Sequence, residues 1–207
     1  MRLFIFVFLT TISTELAGGA TIKNLVFPSE SDNSYVELVP KKSLILSAFT
    51  LCMRVATELQ GNREVILFAY RTPNNDELNV WHGVLFKVPE LGALETHLCF
   101  TWDSSSGASA LFMDGRRSLT KIYRQHHTIS PGGKVILGQD PDSYLGGFDI
   151  NQSFVGSITG DMWDYVLSDG TIQDMVFKSR ALAGNIFDWD TINLETHGGV
   201  HVNNREL

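Results

Sequence analysis

The chain has 207 residues, a formal net charge of −7 at pH 7 and a sequence pI near 5.3. That length suits one domain with a substantial core. No run of basic residues exceeds two, so a nucleic-acid phosphate backbone is excluded as a primary partner, and the acidic balance points toward a cation.

The first segment reads as a signal peptide over residues 1–19. Met1-Arg2 is a short basic start, Leu3 to Leu9 is almost unbroken apolar sequence, and Ala17-Gly18-Gly19-Ala20 supplies the small residues of a cleavage site. The apolar run is too short to cross a bilayer, which takes roughly 20 residues as a helix. With no second spanning stretch and no lipidation or GPI signal, the expected product is secreted and extracellular, a single domain over 20–207. Cys52 and Cys99 are then an even pair in an oxidising compartment, and a disulfide between them is the expected state. The close Cys-X-X-Cys spacing of redox chemistry is absent.

Beyond the leader the recurring period is two. Tyr35 to Val39, His97 to Trp102, and Ser109 to Met113 alternate as strands between Pro, Gly, Asp and Ser clusters. Asp114-Gly115 is a hairpin signal, because such turns need positive φ. Lys134 to Leu137 and Phe154 to Ile158 read as short strands on either side of an acidic loop, and Trp163 to Leu167 as another. One short helix is predicted through Thr171 to Phe177, capped by Ser168 or Asp169, with Ile172, Met175 and Val176 on one face. Many short strands with regular turns indicate a two-layer antiparallel β-sandwich. Trp102 and Trp163 are assigned to its core.

The densest set of oxygen donors lies in residues 139–152. Asp140, Asp142, Asp149 and Gln152 occupy one loop that Gly146 and Gly147 allow to fold back. Calcium takes six to eight oxygens from mixed carboxylates, amides and carbonyls, and closely held carboxylates repel one another without a cation. Composition alone leaves a solvated polar loop equally open, since the spacing does not match an EF-hand. Asn151-Gln152-Ser153 fits the N-glycosylation pattern, with Asn151 as acceptor. No nucleophile elbow, His-Glu-X-X-His or zinc cluster is present. His126-His127 would point to opposite faces of a strand, and His97, alternating with Cys99, reads as a packed histidine. No carboxylate sits in a context that marks it as a catalytic acid, so the chain is not read as an enzyme.

His97-Leu98-Cys99-Phe100-Thr101-Trp102-Asp103-Ser104 matches the signature His-X-Cys-X-Ser/Thr-Trp-X-Ser/Thr, and on it the chain resembles the short members of the pentraxin family. Residues 26–32 and 48–52, Leu137-Gly138-Gln139-Asp140 and Met162-Trp163-Asp164 extend the likeness over nearly the whole mature chain. The resemblance implies an all-β fold, a flattened antiparallel jelly-roll sandwich with one short helix. It also implies two calcium ions on one face that bridge to phosphocholine, phosphoethanolamine or other anionic groups. Carried over by position, the ligands are Asp76, Asp140, the carbonyl of Pro141, Asp142, Asp149 and Gln152. Asp140 and Asp149 stand where familiar members have Glu, which keeps the charge and shortens the reach. Glu77 stands where the family has Asn, so either its carboxylate serves or Asn75 is drawn in. Val80 is the nearest match to the first apolar residue of the ligand pocket.

A family strand and turn are missing after Trp81, where only His82-Gly83 leads to Val84 to Glu90. That stretch carries part of the choline-facing wall, so phosphate contact with weakened choline selectivity is expected. The segment before Met162 is also slightly short, which implies a changed bulge. The resemblance further implies an innate-immunity, acute-phase recognition protein, a cyclic pentamer, and complement-type protein partners. The competing readings are an extracellular jelly-roll glycan or protein interaction module without phosphocholine binding, a secreted β-sandwich hydrolase, and a poorly folded product.

Overall fold

The computed structural model describes residues 21–59, 65–81, 86, 89–177 and 182–206. The expected signal peptide and the His82-Gly83 connection lie outside the described residues. Alternating strands build two antiparallel sheets. The first contains β1 (Thr21–Phe27), β3 (Ala48–Ala56), β6 (Thr96–Asp103), β7 (Ala108–Met113), β8 (Arg116–Arg117), β9 (Lys121–Ile122), β11 (Gly156–Trp163) and β13 (His201–Glu206). Its order is β13-β1-β11-β3-β6-β7-β8, and β9 also pairs with β7. The second contains β2 (Val36–Val39), β4 (Ile66–Arg71), β5 (Asp76–Trp81), β10 (Lys134–Leu137) and β12 (Asn193–Thr196), in the order β12-β2-β10-β4-β5. The fold is the expected antiparallel sandwich. Among the described residues no helix is long and apolar enough to cross a membrane.

The core lies between the sheets, where Leu25, Phe27, Leu51, Met53, Val55, Phe68, Tyr70 and Met162 pack together. The alternation that defines the strands is what delivers one face of each to this layer. On the outer side of the first sheet, Cys52, Cys99, Phe112 and Trp163 meet Ile172 of α1 (Asp169–Phe177). Ser168 Oγ accepts from the Thr171 N–H at 3.1 Å and caps that helix. Cys52 and Cys99 face each other on β3 and β6 and are joined by the expected disulfide. Trp102 and Trp163 are both buried, and Trp102 Nε1 donates to the Tyr123 carbonyl at 2.8 Å. The Asp114-Gly115 hairpin joins β7 to β8, with φ of 49° and 75°.

Two local expectations fail. Trp163 ends a strand and does not begin one: β11 runs unbroken from Gly156 to Trp163, and a bend follows it. Its pairing with β3 is continuous from Ser157 opposite Ala56 to Trp163 opposite Thr50, so the short segment before Met162 needs no bulge there. The chain turns away at Asp164, whose carboxylate accepts from Lys42 at 2.6 Å and from Asn185 Nδ2 at 2.6 Å.

Candidate metal and ligand site

The site is built on the outer face of the second sheet. A tight turn at residues 72–75 joins β4 to β5: the buried Thr72 donates its N–H to the Asn75 carbonyl at 2.9 Å, and its hydroxyl accepts from the Asn75 N–H at 3.1 Å. The turn sets Asp76 at the head of β5, opposite Arg71. The Arg71 guanidinium forms an ion pair with the Asp76 carboxylate.

The second component is the loop after β10. Gly138 has φ of 85°, and a Cβ there would lie 2.1 Å from the Phe27 ring, so only glycine lets the chain leave the strand beside that core aromatic. Gln139 is fully buried and its amide donates to the Ser31 carbonyl. Behind that anchor Asp140 is presented on the surface side. The loop then doubles back: Ser143 N–H donates to the Gly146 carbonyl at 3.0 Å, and Gly147, with φ of 73°, lies against the Asp142 Cβ. Phe148 packs on Tyr35 at 4.7 Å and covers Ile66, Ala69 and Ile136 of the sheet below. Asp149 caps a single 3-10 turn over Ile150–Gln152, accepting from the Asn151 backbone N–H at 2.8 Å and from its Nδ2 at 3.0 Å.

Asp76 meets Asp140 and Asp142. Asp140 is pushed up to about 6, first by burial and then by the negative charges of Asp76 and Asp142, while Arg71 opposes the shift. Residues more than sixty positions apart in sequence therefore share one electrostatic neighbourhood. Asn79 Nδ2 donates to Asp140 Oδ1 at 3.3 Å and ties β5 directly to the loop. The Asn79 and Gln152 side-chain oxygens are buried without a hydrogen-bond partner. Carboxylates, amide oxygens and the carbonyl of the buried Pro141 form the kind of donor set a hard cation takes. Oxygens of Asp76, Asp140 and Asp142 do not all approach within 4.8 Å of one another.

Glu77 and Val80 do not join this group. A register shift between Tyr70 and Arg71 breaks the simple alternation of β5. Glu77 is consequently buried, and its carboxylate accepts from the Ser130 N–H at 3.2 Å and pairs with His127 Nε2 at 3.1 Å. Val80 belongs to the core. Both line a cavity of about 420 Å³ between the sheets, with Phe86, Leu98, Trp102 and Leu111, and Asp76 and Asn79 border the same cavity. Asn79, which the position-by-position transfer passed over, takes the outward place. Its signal was present in the sequence, a polar residue between Leu78 and Val80 in a strand.

The sequon is accessible at Asn151, but Ser153 is buried and its hydroxyl donates to the Ile150 carbonyl at 2.7 Å. The other histidine and cysteine cluster, Cys52, His97 and Cys99, offers no thiolate because both sulfurs are in the disulfide. His97 is lowered to about 4, by burial and then by Arg54, and is neutral at physiological pH.

A sequence profile of the Pentaxin family, an alternative spelling of pentraxin, matches residues 23–204. The chain belongs to the pentraxin family. It is 50% identical to a C-reactive protein of Danio rerio over 218 aligned positions, which cover 95% of this chain and 97% of that one. It is 38% identical to a C-reactive protein of Cavia porcellus, covering 97% and 96% of the two chains. Among solved structures, a heptameric SAP-like pentraxin from Limulus polyphemus superposes with a TM-score of 0.75 at 20% identity, over 87% of this chain and 94% of that one, and shows the same fold. The Danio alignment is longer than this 207-residue pentraxin, so that relative carries residues this chain lacks. Among the described residues β5 is the edge of its sheet.

Proposed function

We propose that this pentraxin is a secreted recognition protein that binds calcium at the face formed by β5 and the 139–152 loop and uses it to capture phosphate-bearing or other anionic surface ligands. The observation that carries this reading is the convergence of Asp76 with Asp140 and Asp142 beside Asn79, whose side-chain oxygen is buried without a partner. Asp76, Asp140, the Pro141 carbonyl, Asp142, Asp149 and Gln152 are the proposed ligands, and Asn79 takes the place considered for Glu77. Bound calcium would supply the positive charge that an exposed phosphate oxygen seeks. The protein's own residues fix where that charge sits: Gln139 anchors the loop, and Asn79 holds Asp140 against β5. No covalent step is involved, so the chain is read as a binding protein and not an enzyme.

Choline selectivity is proposed to be weak. Val80 packs with the core and lines the cavity between the sheets, and β5 is a sheet edge among the described residues. This favours phosphate contact over recognition of a quaternary ammonium group. Assembly into a ring of identical subunits, as the heptameric Limulus relative does, would multiply weak sites by effective concentration. The test is retention of the protein on surfaces bearing phosphoethanolamine or phosphocholine, with calcium and with chelator. Calcium-dependent retention on both is expected. Retention that persists in chelator would instead support a calcium-independent interaction module, and a strong choline preference would refute the assigned role of Val80.

A further inference from the structure

The ion pair between Arg71 and Asp76 joins a cation already in the chain to a carboxylate proposed as a calcium ligand. Arg71 is the last residue of β4, and its side chain is only 17% exposed, so the guanidinium is held at the site and not free in solvent. Its Nε is buried without a partner. The same positive charge acts on Asp140, the most crowded acid of the cluster. A guanidinium cannot be deprotonated in the physiological range, so its charge is present whether or not a metal is bound.

We propose that Arg71 is a built-in stand-in for calcium, a positioning residue that holds Asp76 in the metal-free protein and must yield it when the ion binds, so that it sets how much calcium the site requires. The inference rests on the calcium reading above. Its physical basis is competition for one carboxylate. Without metal, Arg71 offsets part of the repulsion among Asp76, Asp140 and Asp142 and stabilises the folded chain. With metal, Asp76 turns to the ion, and Arg71 is left beside a divalent cation with its principal partner taken. The arginine therefore stabilises the free state and opposes the bound one. Asp76 is 48% exposed, so water weakens the pair and the effect is moderate.

The test uses the full mature chain, stripped of metal, with Arg71→Gln and Arg71→Lys variants, calcium alone as the probe, and two readouts. Calorimetric titration is expected to show Arg71→Gln binding calcium roughly three- to tenfold more tightly than wild type, with Arg71→Lys between them. Thermal unfolding is expected to show a lower midpoint for Arg71→Gln in chelator and an unchanged midpoint in saturating calcium, so its calcium-induced shift is larger. A residue with a merely structural role would lower both midpoints alike and leave affinity unmoved. Unchanged or weaker calcium affinity in Arg71→Gln, with wild-type binding intact, overturns the inference and spares the calcium reading. Failure of wild type and both variants to bind calcium removes both.

Discussion

Replacing Asp140 by Asn removes the charge that its surroundings oppose most while keeping an oxygen to accept from Asn79. Asp140 is raised from 3.8 to about 6 in the fold, so the folded chain holds its proton more tightly than the unfolded chain does. Its contribution to stability is then fully present below about pH 4 and is lost as pH rises through about pH 6. A shift of that size corresponds to roughly 3 kcal/mol in an unscreened site. The carboxyl is partly open to water, which reduces the effect to about 1 kcal/mol. The expected outcome is that Asp140→Asn raises metal-free stability by about 1 kcal/mol at pH 7.5, or about 3 °C in Tm for a domain of this size. At pH 4 the two proteins should be indistinguishable. Calcium at millimolar concentration should raise the wild-type Tm more than that of the variant, reversing their order. Unfolding by heat and by urea in chelator, from pH 4 to 8, reads the difference directly, since groups common to both proteins cancel. A variant less stable than wild type at pH 7.5 in chelator would refute the account of repelling carboxylates.

Reducing the Cys52–Cys99 disulfide, or replacing both residues by Ser, opens a link across a sequence separation of 47 and should cost about 4 kcal/mol of unfolding free energy, measured by urea denaturation. A loss well under 1 kcal/mol would show that the pairing of β3 with β6 alone constrains the chain. Gly138→Ala forces a methyl into the Phe27 ring at a positive φ and should destabilise by about 2 kcal/mol or more, with reduced calcium affinity because the loop leaves the strand at that point. A neutral effect on both would show that the loop does not depend on this turn. His97 should remain neutral from pH 8 to pH 5, with its ring resonances moving only near pH 4; its folded value is lowered, so its contribution to stability is present above about pH 6.5 and is lost as pH falls toward 4. A midpoint near 6.5 would contradict its burial.

Much of this molecule was legible before any coordinates. Period-two patterning located β2, β6, β7 and β10, Asp114-Gly115 marked its hairpin, and Ser168 marked the helix start, because each rests on short-range backbone preferences. Trp163 was misplaced because an aromatic suits the end of a strand as well as its beginning, and the turn at Asp164 depends on Lys42 and Asn185 from elsewhere. The acidic loop was visible from composition, but its union with Asp76 came only through the family resemblance, since nothing local in the sequence of Asp76 refers to residue 140. Glu77 and Val80 were carried over by position from the family, and the register shift near Arg71, which leaves the Glu77 carboxylate against His127 and Ser130, has no mark in the local sequence. Arg71 went unremarked because a lone basic residue acquires meaning only once the fold sets it against Asp76.

The measurement that bears most directly on the central claim is a calorimetric calcium titration of the metal-stripped chain beside its Asp76→Ala variant. If β5 and the 139–152 loop form one calcium site, the wild type binds at millimolar calcium or below, and loss of the distant carboxylate weakens binding by roughly tenfold or more. Equal affinity in the two proteins would place any ion in the loop alone, and a wild type that takes up no calcium would contradict the site altogether.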